Sequence, residues 1–125
     1  MDANTKYQLL KHCEYLGGIF QVYKHYLNMS IQDPNLKNRF LGFVEELISD
    51  GVITLCDYRE NPATILSGTP KEQVDKLREI WPKMEEMKLY FPDNPWYYVE
   101  WFWWRATCPI ELECLPRIEI YQNLL

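Results

Sequence analysis

Carboxylates are the side chains best supplied for chemistry in this chain. One group is Glu45, Glu46 and Asp50, followed closely by Asp57 and Glu60. A second is Glu111, Glu113 and Glu119 near the C-terminal end. Carboxylates gathered on one face can ligate a metal, move a proton, or meet the cations of another molecule. Metal ligation finds little support. Cys13, Cys56, Cys108 and Cys114 are scattered, none forms a C-x-x-C pair, and His12 and His25 add no zinc-ligand spacing. These cysteines read as small buried hydrophobes in reduced form. Proton transfer or nucleophilic attack finds no motif either. There is no G-x-S-x-G turn, P-loop, dinucleotide-binding glycine set or H-E-x-x-H. His12 is next to Cys13, and helix neighbours do not face one another. What remains is a negative surface suited to a positive partner.

The second resource is aromatic. The stretch PWYYVEWFWWRA, from Pro95 to Ala106, holds Trp96, Tyr97, Tyr98, Trp101, Phe102, Trp103 and Trp104. Phe102 and two or three of the tryptophans are expected in the core. Tyr97, Tyr98 and Trp101 are expected at the fringe, beside carboxylates, where such rings anchor interfaces.

These groups must be carried by particular elements. Leu9, Leu10, Cys13, Leu16, Phe20, Tyr23 and Leu27 recur at helical spacing, so residues 5–27 read as one bent helix or two helices meeting at Gly17-Gly18. Close packing against another element is the expected reason for that glycine pair. Asp33 and Pro34 read as the N-cap and first position of a second helical stretch, with Gly51 as its stop. On that helix Glu46 and Asp50 are like charges four apart, with Glu45 alongside, at the end where the helix dipole prefers cations. Val52 to Cys56 reads as a strand inside a sheet, and Thr64-Ile65-Leu66 as a short partner. Thr69, Pro70 and Glu72 form a capping-box start, and Pro82 ends that helix. Glu72 with Lys76, and Asp75 with Arg78, are favourable pairs along it. For the aromatic stretch, Asp93-Asn94-Pro95 favours a helix while the ring density favours a strand; the expectation taken is a helix. Ile110 to Cys114 alternates cleanly and Ile118 to Tyr121 continues it. A three-residue loop between them gives a hairpin with Ile118 and Ile120 inward, Tyr121 outward, and Glu113 directly opposite Glu119. Like charges facing each other across strands are unfavourable.

The expected fold is therefore α+β: N-terminal helices packed on a small antiparallel sheet that ends in a C-terminal β-hairpin. With 125 residues, 47% hydrophobic, one domain spanning 1–125 is the economical reading. Net charge is −5, and residues 41–60 carry Arg59 as their one cation. No basic footprint for phosphates is present, so nucleic acid is not an expected partner. No run spans a bilayer, and the first residues lack the pattern of a secretion signal, so a cytoplasmic, reducing location is expected.

Three segments in combination resemble a bacterial family of domains of unknown function. They are RFLGFVEELISDGVITLC, SGTPKEQVDKLREIWP and WFWWRATCP. The family pattern is an L-x-x-L helix ending in G-x-I-x-L, a capped helix with E-Q-x-x-x-L-R and a closing W/F-P, then W-F, a gap and C-P. The resemblance covers residues 39–122. This chain departs from it in a longer insert between Pro82 and Trp101, and in lacking a glycine turn near Leu115-Pro116. Some members of that family accompany toxins of contact-dependent growth inhibition as immunity proteins. The resemblance implies a small cytoplasmic, non-enzymatic protein that binds a cognate toxin domain and blocks it; such toxin domains are often basic nucleases. It does not say which residues make contact.

From the residues themselves, the expected contact set is Glu45, Glu46, Asp50, Asp57 and Glu60, or Glu111, Glu113 and Glu119, with Tyr97, Tyr98 and Trp101 as anchors. No cofactor and no metal are expected. A small-molecule-binding domain with an aromatic-lined pocket is the alternative. An enzyme using His25 or a cysteine ranks third, for want of a motif.

Overall fold

A computed structural model describes residues 1–125. Helices α1 (Ala3–Leu10), α2 (Leu16–Leu27) and α3 (Leu36–Ser49) precede strands β1 (Leu55–Asp57) and β2 (Thr64–Ile65). Helices α4 (Pro70–Ile80) and α5 (Met84–Tyr90), a π-helix (Tyr98–Thr107), strand β3 (Ile110–Leu112) and a final turn α6 (Glu119–Gln122) follow. The α+β class with an antiparallel sheet holds. The sheet order is β2-β1-β3, so the apolar strand is central as its composition predicts. Leu55 pairs with Leu112, Cys56 with Glu111 and Asp57 with Ile110. One hydrophobic cluster of 26 buried residues joins helices and sheet.

Local sequence rules account for the start of α4 and the end of α3. The Thr69 hydroxyl accepts from the Glu72 N–H while the Glu72 carboxylate accepts from the Thr69 N–H, the reciprocal capping box. Gly51, at φ +76°, follows α3. The Gly51 N–H bonds the Ile48 carbonyl and the Val52 N–H bonds that of Leu47, both at 3.0 Å. That is a Schellman ending, and it delivers Val52 directly into the core. Asp33 is not the N-cap: its carboxylate accepts from the Asn35 N–H, and α3 begins at Leu36, two residues later than predicted.

The first helical region is two helices, but the break spans 11–15 rather than the glycine pair. Gly17 sits in the first turn of α2, where a Cβ would lie 2.6 Å from the Trp104 Cβ. Close packing of α2 on the π-helix is therefore what that glycine serves.

One expectation is refined and one is corrected. The stretch 95–106 is helical, but its ladder closes at i+5: the Cys108 N–H bonds the Trp103 carbonyl at 2.7 Å. The indole N–H of Trp104 reaches back to the Val99 carbonyl, also a five-residue step. The C-terminal hairpin lacks its second arm. β3 alternates as expected, but its antiparallel partner is β1, and Glu119–Gln122 is a helical turn. Past β3 the chain stays beside 52–54 through the Glu113 N–H to Thr54 and Arg117 N–H to Val52 carbonyl bonds, both 2.8 Å. A four-residue alternation cannot separate a strand from one helical turn. Burial decides it: Tyr121, expected to face outward, is only 2% exposed, with its hydroxyl hydrogen-bonded.

Candidate functional site

The acidic residues divide according to whether this chain supplies their cations. Lys6, on α1, is 7% exposed. Its Nζ lies 2.7 Å from Glu46 Oε1 and 2.9 Å from Asp50 Oδ2. The Tyr121 hydroxyl donates to the same Asp50 oxygen at 2.6 Å. Burial pushes the Lys6 ammonium down, but Glu46 and Asp50 outweigh it and the net shift is upward. Burial opposes charge on Asp50 too; hydrogen bonds from Tyr121 and Lys6 overcome that and hold its carboxyl low. Burial, then the adjacent Asp50 carboxylate, drives the Tyr121 hydroxyl up. Two of the three acids that looked misplaced at the end of α3 thus have a cation beneath them, delivered from a distant helix. Glu45, half-buried, joins no ion pair. The three line an open groove of about 400 Å³, facing Thr69, Pro70 and Lys71 at the start of α4.

The other predicted acids do not join this groove. Asp57 is clamped by Arg59, with Nη2 at 2.5 Å, and that guanidinium holds its carboxyl below the usual range. Glu60 accepts from the Thr64 hydroxyl at 2.8 Å. Glu113 lies 3.9 Å from Arg117, and Glu119 is exposed and unpaired on the helical turn. Glu113 and Glu119 no longer face each other across strands. Glu111 is the clearest departure from the expected outer face. Its Oε1 accepts from the backbone N–H of Leu16 and of Leu112 at 2.5 and 2.8 Å. Burial raises its carboxyl pKa, against these two N–H donors, which lower it. It supplies the acceptor for the first turn of α2 that Tyr15, at the N-cap, cannot. A helix start with no Ser, Thr, Asp or Asn before it was the available hint.

The aromatic residues form a surface as well as a core. Trp103 and Trp104 are buried and pack with Trp81, Phe20 and Phe40. Tyr98, expected at the fringe, is fully buried, stacked on Tyr90 at 5.0 Å with its hydroxyl 2.7 Å from Glu86. Burial, reinforced by Glu86, pushes that hydroxyl up to about 12. Phe102, expected in the core, is 37% exposed instead. Tyr97 and Trp101 are exposed as predicted, at 45% and 41%. In a ladder closing at i+5, positions 97, 101 and 102 share one side. Phe91 touches both Tyr97 and Phe102, and Tyr90 touches Phe102, so these rings join the π-helix to the end of α5. Arg105 lies over the Trp101 and Tyr15 rings, 5.7 Å from each centroid.

A separate pocket of about 230 Å³ opens where α2, α3, α5 and the π-helix meet. Trp81, Trp96, Met87 and Val99 are among its walls, with Lys37 and Asp33. Elsewhere, burial pushes the Cys13 and Cys108 thiols up to about 11 and about 12, so neither is a thiolate at neutral pH. His12 and His25 are exposed. No three His, Cys, Asp or Glu side chains gather at metal-ligand geometry, and no helix is long and apolar enough to cross a membrane. Compared with models of protein families, with curated proteins and with solved structures, the chain matches none of them.

Proposed function

We propose that this chain is an immunity protein that binds a cognate delivered toxin domain and neutralises it by occlusion. The observation that carries the reading is the set of exposed rings on and beside the π-helix, Tyr97, Trp101, Phe102 and Tyr90, each between 37% and 51% exposed. Stability would favour covering such rings, and exposed tyrosine and tryptophan side chains are the usual anchors at the centres of protein interfaces. The groove at Glu45, Glu46 and Asp50 has the lesser part. Lys6 pairs with two of its three carboxylates, so it contributes to encounter rate through the overall charge of −5 rather than to affinity. This moves the centre of the interface from the carboxylates to the rings. The residues 39–122 that resemble the immunity-protein family include the whole π-helix.

The test starts from the gene upstream. Where it encodes a large exported protein with a variable C-terminal domain, that domain is mixed with this chain. The expected result is a stable complex and loss of toxin activity. Replacing Tyr97 and Trp101 together with alanine should weaken binding by about 10- to 100-fold, chiefly through faster dissociation. Reversing the charge of Glu45 should slow association modestly and leave dissociation unchanged. No complex, or a double variant that binds like the parent, overturns the proposal.

A further inference from the structure

We propose that the pocket bounded by Trp81, Trp96 and Met87 binds a small aromatic carboxylate, with its ring between the indoles and its carboxylate on Lys37. The inference stands independently of the toxin reading, because none of Tyr97, Trp101 or Phe102 lines this pocket. Size limits the occupant first. At about 230 Å³ the pocket lies below the volume typical of drug-sized ligand sites, and suits a molecule of one ring and a short chain. The walls limit it next. Phe20, Trp81, Trp96 and Met87 offer ring faces and a soft thioether, which favour a flat aromatic body.

Charge selects the polar end. The Lys37 ammonium lies over the Trp81 ring, 5.9 Å from its centroid, and so is held at the pocket. It takes part in none of the chain's ion pairs. Its neighbours are of like sign: burial first, then Arg78 and Lys83, disfavour its charge. In a chain of net charge −5 a half-buried ammonium left among cations is an exception, and an incoming carboxylate would relieve it. The acid in the lining, Asp33, does not do so. Its carboxylate holds the Asn35 N–H at 2.8 Å in the turn before α3 and forms no ion pair with Lys37.

The experiment uses the full chain with 3-phenylpropanoate and its neutral amide as probes, read by tryptophan fluorescence and by the indole N–H signals in NMR. The acid should bind about tenfold or more tightly than the amide, shifting two indole signals. Lys37→Met should bring the acid down to the level of the amide without weakening the amide, and Lys37→Arg should restore the preference. Trp96→Ala should weaken both probes, with the other indole signals showing that the fold persists. The proposal is overturned if neither probe binds below about 10 mM. It is overturned equally if acid and amide bind alike, or if Lys37→Met leaves their ratio unchanged.

Discussion

Lys6 is the residue on which the acidic end of α3 depends. From the sequence it is one cation on a polar N-terminal helix. In the fold it is nearly covered, and two carboxylates and the Tyr121 ring converge on it. Removing it by Lys6→Met leaves Glu46 and Asp50 as like charges at a helix C-terminus. Both retain access to water, so the expected loss is about 1–3 kcal/mol rather than that of a fully buried pair. Urea unfolding measures it, and an unchanged midpoint would reject the role. The alkaline limb carries a second signature. The folded pKa of Lys6 lies above its ordinary 10.5. Its contribution is therefore complete below that value and disappears as pH rises through the higher folded value. The variant should lack this component of alkaline destabilisation.

Among the elements, α2 packs against the π-helix with no room for a Cβ at Gly17, and the adjacent glycines there should behave oppositely. At Gly17 an added methyl would stand 2.6 Å from the Trp104 Cβ, so Gly17→Ala should cost about 1–3 kcal/mol by overpacking. At Gly18 the nearest atom, on the Tyr15 ring, is 3.4 Å away, an ordinary contact. Gly18→Ala should be neutral or stabilising by up to about 1 kcal/mol through helix propensity. Equal effects in chemical denaturation would contradict the packing account. These elements also separate what a sequence announces from what it hides. Thr69, Pro70 and Glu72 form a closed local circuit, so the start of α4 was legible. The same holds for Gly51 at the end of α3. The start of α2 was not, because its acceptor, Glu111, lies 95 residues away. Nor was the i+5 ladder, since rings on every side of residues 96–104 leave no period to read.

For the molecule as a whole, acid should reveal two opposed groups of carboxylates. Asp50, Asp57 and Asp75 have folded pKa values below the ordinary 3.8. The unfolded chain takes up their protons first, so their stabilisation is present above that value and is lost as pH falls towards the lower folded ones. Glu111 has the opposite sign. Its folded pKa lies above 4.5, so its proton binds the folded chain first, and stability rises as pH falls through that higher value. The melting temperature should therefore pass through a maximum in mild acid and then drop. Glu111→Gln should lose the rise while keeping the drop, and a rise that persists in the variant would remove Glu111 as its source. The sequence by itself determined the capping box of α4, the Gly51 stop of α3, the central apolar strand, the alternation of β3 and the aromatic content of residues 96–104, since each depends on neighbours a few positions apart. Only the tertiary structure decided that Lys6 underlies Glu46 and Asp50, that Glu111 turns inward, that Tyr98 and Phe102 exchange places, and that residues 119–122 coil. Each of these turns on which distant surface a side chain is buried against, and no short window of sequence contains both partners.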